Sequence, residues 1–314
     1  MITLNTEKGL VRIESWEDVT GRPGFVIDLD PSTIELKAII GSYIFKDHVK
    51  CGLSSCHQPH GRGYLVTTKD GRETNIGKDC GKKHFLVDFE QLRNAYDRDF
   101  RNKERREQLE ILLGRVPAYL EMIRDIRNGP MGADSLYKDL QTLTTRGRGV
   151  PDVIVERLLQ MARARNGRIA TQREATVLEI ENLEAIQGKK IERPHYLDEE
   201  IGHLAGVAAL YPEHNLKSIL IIDVLEGLDR LQHLHVSTLS DADLLKLSKW
   251  ASELDAKLST ARRAMREAKM LLAPPNISKL DVDVWIEGKD EKRVFSKFIA
   301  KLATRLDDGN SLAA

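Results

Sequence analysis

The chain has three cysteines in 314 residues, and Cys51, Cys56 and Cys80 all fall within one thirty-residue window. A disulfide framework does not suit an odd, tightly clustered set, whereas a metal site in a reducing compartment does. Between the second and third cysteines, Tyr64 to Thr68 and Glu73 to Ile76 read as two strands. Lys69-Asp70-Gly71-Arg72 joins them, and its Asp-Gly pair tolerates the positive φ angles that tight turns need. The order is therefore knuckle, hairpin, helix start. The plainer alternative is three small thiols buried in a core, but core cysteines rarely bracket a hairpin with histidines nearby.

A closed zinc site takes four sulfur or nitrogen ligands, usually as two pairs brought together by the fold. Cys51 and Cys56 supply the first pair from a tight loop. Cys80 and His84 are four residues apart, so a helix starting near residue 79 places both on one face as the second pair, and its N-terminus favours Cys80 as thiolate. His60 and His57 remain open as alternatives for the fourth ligand, and His48 reads as a surface residue. Over residues 46 to 90 this arrangement resembles a treble-clef zinc finger, which implies one structural Zn²⁺ held by a loop pair and a helix N-terminal pair. A saturated zinc has no open position for water, so its role is to hold the module together.

From residue 1 to 87 the chain reads as short β-type runs, Leu10 to Ile13, Gly24 to Asp28 and Ile34 to Phe45, separated by turns at Arg22-Pro23-Gly24 and Asp30-Pro31-Ser32. From 88 to 314 helical spacing takes over. Phe89, Leu92, Tyr96 and Phe100 begin a pattern that Leu109 to Leu120 resume, with Pro117 a predicted kink. Linker-like loops follow at 129–132 and 144–151. Thr171 with Glu174 reads as a capping box for a helix that Gly188 stops, Asp198 as the cap of a short helix, and Asn215 to Leu234 as an apolar helix. Leu247, Ala251, Leu254, Leu258, Ala261, Met265, Ala268 and Leu272 alternate steps of four and three, forming a narrow seam that Pro274-Pro275 ends. That seam suits an intramolecular hairpin, or a homodimeric coiled coil through residues 244–272. Val282 to Ile286 reads as a strand before a last helix. The expected class is α+β: a small β-rich N-terminal zinc-binding module, then a mainly α-helical region with one long heptad-patterned helix.

Lysine plus arginine equals aspartate plus glutamate at 48 each, so the whole-molecule field gives no strong pull toward polyanions or membranes. No apolar run approaches the roughly 20 residues that span a bilayer, no leader pattern opens the chain, and the expected location is the cytoplasm. Locally the balance differs. Between residues 45 and 86, eight lysines and arginines face four acids. Arg62, Lys69, Arg72, Lys78, Lys82 and Lys83 are the candidate phosphate contacts, and DNA is the first choice of partner, with a protein surface second. Phosphate-binding loops, metalloprotease helices, hydrolase elbows and deaminase patterns are missing, so the chain leans away from catalysis. One enzymatic alternative rests on Asn75, Cys80 and His84, whose offsets resemble the HNH endonucleases. That resemblance would make His60 a general base beside a divalent ion. No acid precedes His60, the helix lacks a second cysteine, and residues 64–68 read as strand, so the binding-protein reading is preferred.

Overall fold

The computed structural model describes residues 1–283, 285, 286 and 288–311. An antiparallel sheet occupies the N-terminal region and helices dominate after it, the expected α+β class. The chain divides into two compact units, Met1–Leu112 with His235–Ala251, and Leu113–Leu234 with Ser252–Ala314.

In the first unit, strands β1 (Ile2–Thr6), β2 (Gly9–Ile13), β3 (Leu36–Lys50), β4 (Pro59–Thr68) and β5 (Glu73–Gly77) form one sheet in the order β2-β1-β3-β4-β5. Alternating side chains give it two apolar faces. On one, Ile2, Leu4, Tyr43 and Leu65 pack with Val19 of α1 (Trp16–Thr20) and with Trp16. On the other, Ile39, Val66 and Ile76 pack with Cys51, Leu53, Phe89 and Tyr96, and the last two come from helix α2 (Lys78–Arg127). Sheet alternation thus puts the thiols and α2 on one face.

Gly24 to Asp28 is not a strand. Its backbone pairs with the sheet in an isolated bridge from Phe25 to Glu73, Phe25 and Val26 pack on the two apolar clusters, and Asp28 has φ 65°. β1 and α1, the latter capped by Ser15 accepting from the Asp18 amide, add elements the sequence reading did not include. In α2 the interruption falls at Leu86 (φ 45°, ψ −122°) and not at Pro117, where the backbone stays helical.

The second unit contains α3 (Ala133–Thr144), α4 (Asp152–Ala164), strand β6 (Arg168–Glu174), α5 (Val177–Gln187), strand β7 (Tyr196–His203), and α6 (Glu226–Gln232). It also holds most of α7 (Asp241–Leu272), with α8 (Pro274–Ile277) and α9 (Lys289–Ser311). β6 and β7 form an antiparallel ribbon, so this region is not wholly helical. Thr171 and Glu174 lie in β6, and the capping box of α5 is made five residues later by Thr176 and Glu179. Asp198, expected as a cap, sits in β7 opposite Gln172. Both errors share a cause, because cross-strand pairing is invisible to local cap patterns. The apolar segment ahead of α6 is helical, but Ser218–Leu225 winds as a wider π-helix. Along α7, Leu254, Leu258, Ala261, Ala268 and Leu272 are buried within the single chain. The run 282–286 closes a turn through hydrogen bonds from the Trp285 and Ile286 amides to the Val282 carbonyl, with Val284 outside the described residues. Among the described residues, no helix is long and apolar enough to cross a membrane.

Candidate metal centre

The loop between β3 and β4 carries Cys51 and Cys56, and its backbone is tied down on three sides. The Cys51 amide donates to Gln58 O, the Gly52 amide to Asn75 O on β5, and the Ser54 amide to Leu29 O, while Gly52 O accepts from Leu29. Gly52 is required here, since a Cβ would collide with the buried Thr74 hydroxyl. The Asn75 side chain, 1% exposed, donates from Nδ2 to Lys50 O at 2.8 Å, fixing the residue just ahead of Cys51. The β4–β5 hairpin turns through Gly71 at φ 89° and delivers the chain to Lys78, where α2 begins. Cys80 therefore sits in the first turn of a helix, facing the loop.

These elements bring the three thiols together. Their Sγ atoms all lie within 4.8 Å of one another, with Cys56 and Cys80 2.9 Å apart. Sulfurs around a tetrahedral zinc, with Zn–S bonds near 2.3 Å, stand about 3.8 Å apart, a spacing that the cluster brackets. Cys51 is buried, and Cys56 and Cys80 are partly exposed, so the cluster is open on one side. Three thiols are a soft donor set, suited to zinc-like ions and poorly suited to magnesium or calcium. The residues fit a bound metal ion.

Proton affinities follow from crowding. Burial, then the hydrogen-bonded Cys56 thiol and the charges of Cys51 and Cys56, push Cys80 up to about 12. Burial also raises Cys51. Burial opposes ionisation of Cys56 as well, but hydrogen bonds from Cys80 and the Gln58 amide, with Lys83 nearby, bring its thiol below the ordinary value. Burial and the two neighbouring sulfurs thus keep Cys80 protonated where no cation offsets them. A divalent cation would reverse that balance.

The three histidines named as fourth-ligand candidates stand outside this group. His84 shares the helical segment of Cys80, and its Nε2 lies 3.4 Å from Ser55 Oγ, next door to Cys56. It also borders a cleft of about 680 Å³ with Ile34, Leu36, Phe85 and Leu92. His57 Nε2 faces Asp28 Oδ1 at 3.3 Å. His60 is engaged at both ring nitrogens: Nδ1 with Gln58 O at 3.1 Å and Nε2 with Tyr43 Oη at 2.5 Å. Asn75 Nδ2 donates to the same Tyr43 oxygen at 3.1 Å, so a neutral His60 protonated at Nδ1 completes one consistent chain of donors. Tyr43 and its link to Asn75 escaped the sequence reading. A tyrosine at a strand's inward position carries no signal of the partner its hydroxyl will find.

The basic residues divide into two groups. Lys69 pairs with Glu35, Arg72 with Asp70, and Lys82 with Glu90 at 2.8 Å. Among the described residues no ion pair engages Arg62, Lys78 or Lys83, all of them exposed. Comparison with protein-family models, with curated proteins and with solved structures finds no match.

Proposed function

We propose that residues 46–90 form a zinc-stabilised, treble-clef-like binding module, and that its basic surface contacts the phosphate backbone of DNA without catalysis. The observation that carries this reading is the convergence of three thiols from a tethered loop and a helix start. His84 completes the shell, supported by its place one helical turn after Cys80 and beside the loop that holds Cys56. With four ligands the ion is closed to water and acts as a structural tie. Arg62, Lys78 and Lys83 are the cations left free to meet phosphate, whereas Lys69, Arg72 and Lys82 are already paired within the chain. The endonuclease reading needs a free lone pair on His60, and both of its ring nitrogens are engaged.

The test combines metal analysis with binding. Purified protein should carry one zinc per chain and bind a random-sequence duplex with affinity that falls steeply as salt rises. Arg62→Glu with Lys83→Glu should weaken that binding at least about tenfold while the zinc is retained. Binding that ignores both the reversals and the salt would defeat the DNA reading. Nicking of DNA in Mg²⁺ or Mn²⁺ that His60→Ala abolishes would replace it with the nuclease.

A further inference from the structure

The finger cations do not exhaust the positive surface of the first unit. Arg98, Arg101 and Arg105 follow one another on α2 at steps of three and four, which stacks them along one helix face. With Asn94 and Asp97 they line a shallow recess of about 210 Å³. Asp97 lies four residues before Arg101, yet among the described residues no ion pair engages Asp97, Arg98, Arg101 or Arg105. Nearby charges on the same helix behave differently: Lys82 pairs with Glu90 and Lys103 with Asp99. Like charges at these spacings repel and weaken an isolated helix. A row of arginines without ion-pair partners, in which Arg105 donates to the neutral Asn102 Oδ1 at 3.1 Å, is therefore not what a merely solvated face requires.

The row is continuous with the finger. Arg62 and Tyr64 are two apart on β4 and share a face, and Tyr64 packs edge-on against Phe89 and Tyr96 of α2, with ring centroids 5.8 and 6.0 Å away. Burial and the Asp97 charge raise the Tyr64 hydroxyl against the opposing charges of Arg93 and Arg101, which places this end of the row near Tyr64. The β4–β5 register ends at Gly63 opposite Gly77, so Arg62 and Lys78 flank that end, and Lys82 first, then Arg93 and Lys78, hold the Glu90 carboxyl below its usual range. The free cations of the finger thus lead into the arginine row.

We propose that Arg98, Arg101 and Arg105 form a phosphate-tracking surface that carries a DNA duplex from the finger along α2. This rests on the DNA reading above and extends it to a second element. Seven residues of helix span about 10 Å, the length of about three phosphates of one strand. The partner is a duplex because single-strand grooves rely on exposed aromatic platforms, and here Tyr64 and Tyr96 are packed against other rings.

The experiment titrates the zinc-loaded full chain against a fluorescent random-sequence duplex over a range of salt. Arg98→Gln, Arg101→Gln and Arg105→Gln together should weaken binding at least about tenfold and reduce the slope of log affinity against log salt by about two to three. Zinc content should match the parent, and the thermal midpoint should not fall, since the substitutions relieve like-charge repulsion along the helix. The Arg→Lys triple variant should bind within about threefold of the parent, since phosphate contact needs the charge. If the Gln variant keeps the parent's affinity and slope while Arg62→Gln with Lys83→Gln weakens binding, the arginine row is not a contact and the finger reading stands. If the parent itself shows no salt-dependent binding, both readings fall together.

Discussion

The Sγ atoms of Cys56 and Cys80 stand 2.9 Å apart, although a whole β-hairpin separates the two residues in sequence. That distance is too long for a disulfide bond, about 2.05 Å, and shorter than the sulfur spacing around a tetrahedral zinc, about 3.8 Å. Inserting the ion would spread the pair and relieve the crowding that holds Cys80 protonated.

Removal of one thiol should therefore cost the metal. Cys80→Ser is expected to reduce zinc from one per chain to below about a tenth, as read by elemental analysis, and to lower the thermal midpoint as chelator does to the parent. His84→Ala should reduce zinc affinity at least about a hundredfold, beyond the range seen for outer-shell partners. His57→Ala and His60→Ala should stay within about tenfold of the parent.

Metal binding should release protons. Cys51 and Cys80 are held above the ordinary thiol value in the metal-free protein, so at neutral pH they must shed protons to become ligands. Calorimetry in buffers of different ionisation enthalpy should show about two to three protons released per zinc. Apparent affinity should rise with pH toward the raised thiol values and fall as pH drops.

Tyr43→Phe removes the oxygen shared by Asn75 and His60 and leaves a buried amide donor without that partner. Denaturant unfolding should show a loss of about 2 kcal/mol. In a double-mutant cycle the effects of Tyr43→Phe and His60→Ala should be less than additive, because both break one chain of donors.

Leu86 has φ 45° and ψ −122°, a region that favours glycine, while its side chain is 66% exposed. Leu86→Gly should relieve strain with little lost burial and stabilise the protein by about 1 kcal/mol. Loss of stability in that variant would show that the Leu86 side chain, which borders the cleft beside His84, contributes packing instead.

In the second unit Asp139 on α3 is 3% exposed and pairs with Arg305 and Lys301 of α9. Burial raises its pKa despite those cations. A raised value means the folded state holds the proton more tightly than the unfolded chain. The contribution is complete below the ordinary carboxylate range and is lost as pH climbs through the raised value. Asp139→Asn should remove that dependence from the pH profile of stability. Arg305→Ala should cost about 3 kcal/mol at neutral pH by stranding the buried carboxylate.

Much of the centre was legible in one dimension. The Asp-Gly turn, the strand runs around it, the two ends marked by cysteines and the helix start at Cys80 are local features, and local chemistry dictates them. The heptad spacing of α7 likewise marked residues that are buried. What escaped depends on contacts between distant segments. Thr171 and Asp198 carry good cap residues, yet both became strand because β6 and β7 found each other across an intervening helix. Pro117 is locally the obvious kink, but the break came at Leu86, just before Phe89 docks on the sheet. The sequence alone determined which side chains could bind a metal. Only the tertiary structure decided that Cys51, Cys56 and Cys80 meet and that His60 is tied to Tyr43. The division has one physical reason: residue type and spacing set what a side chain can do, while long-range pairing and burial set which partners it finds.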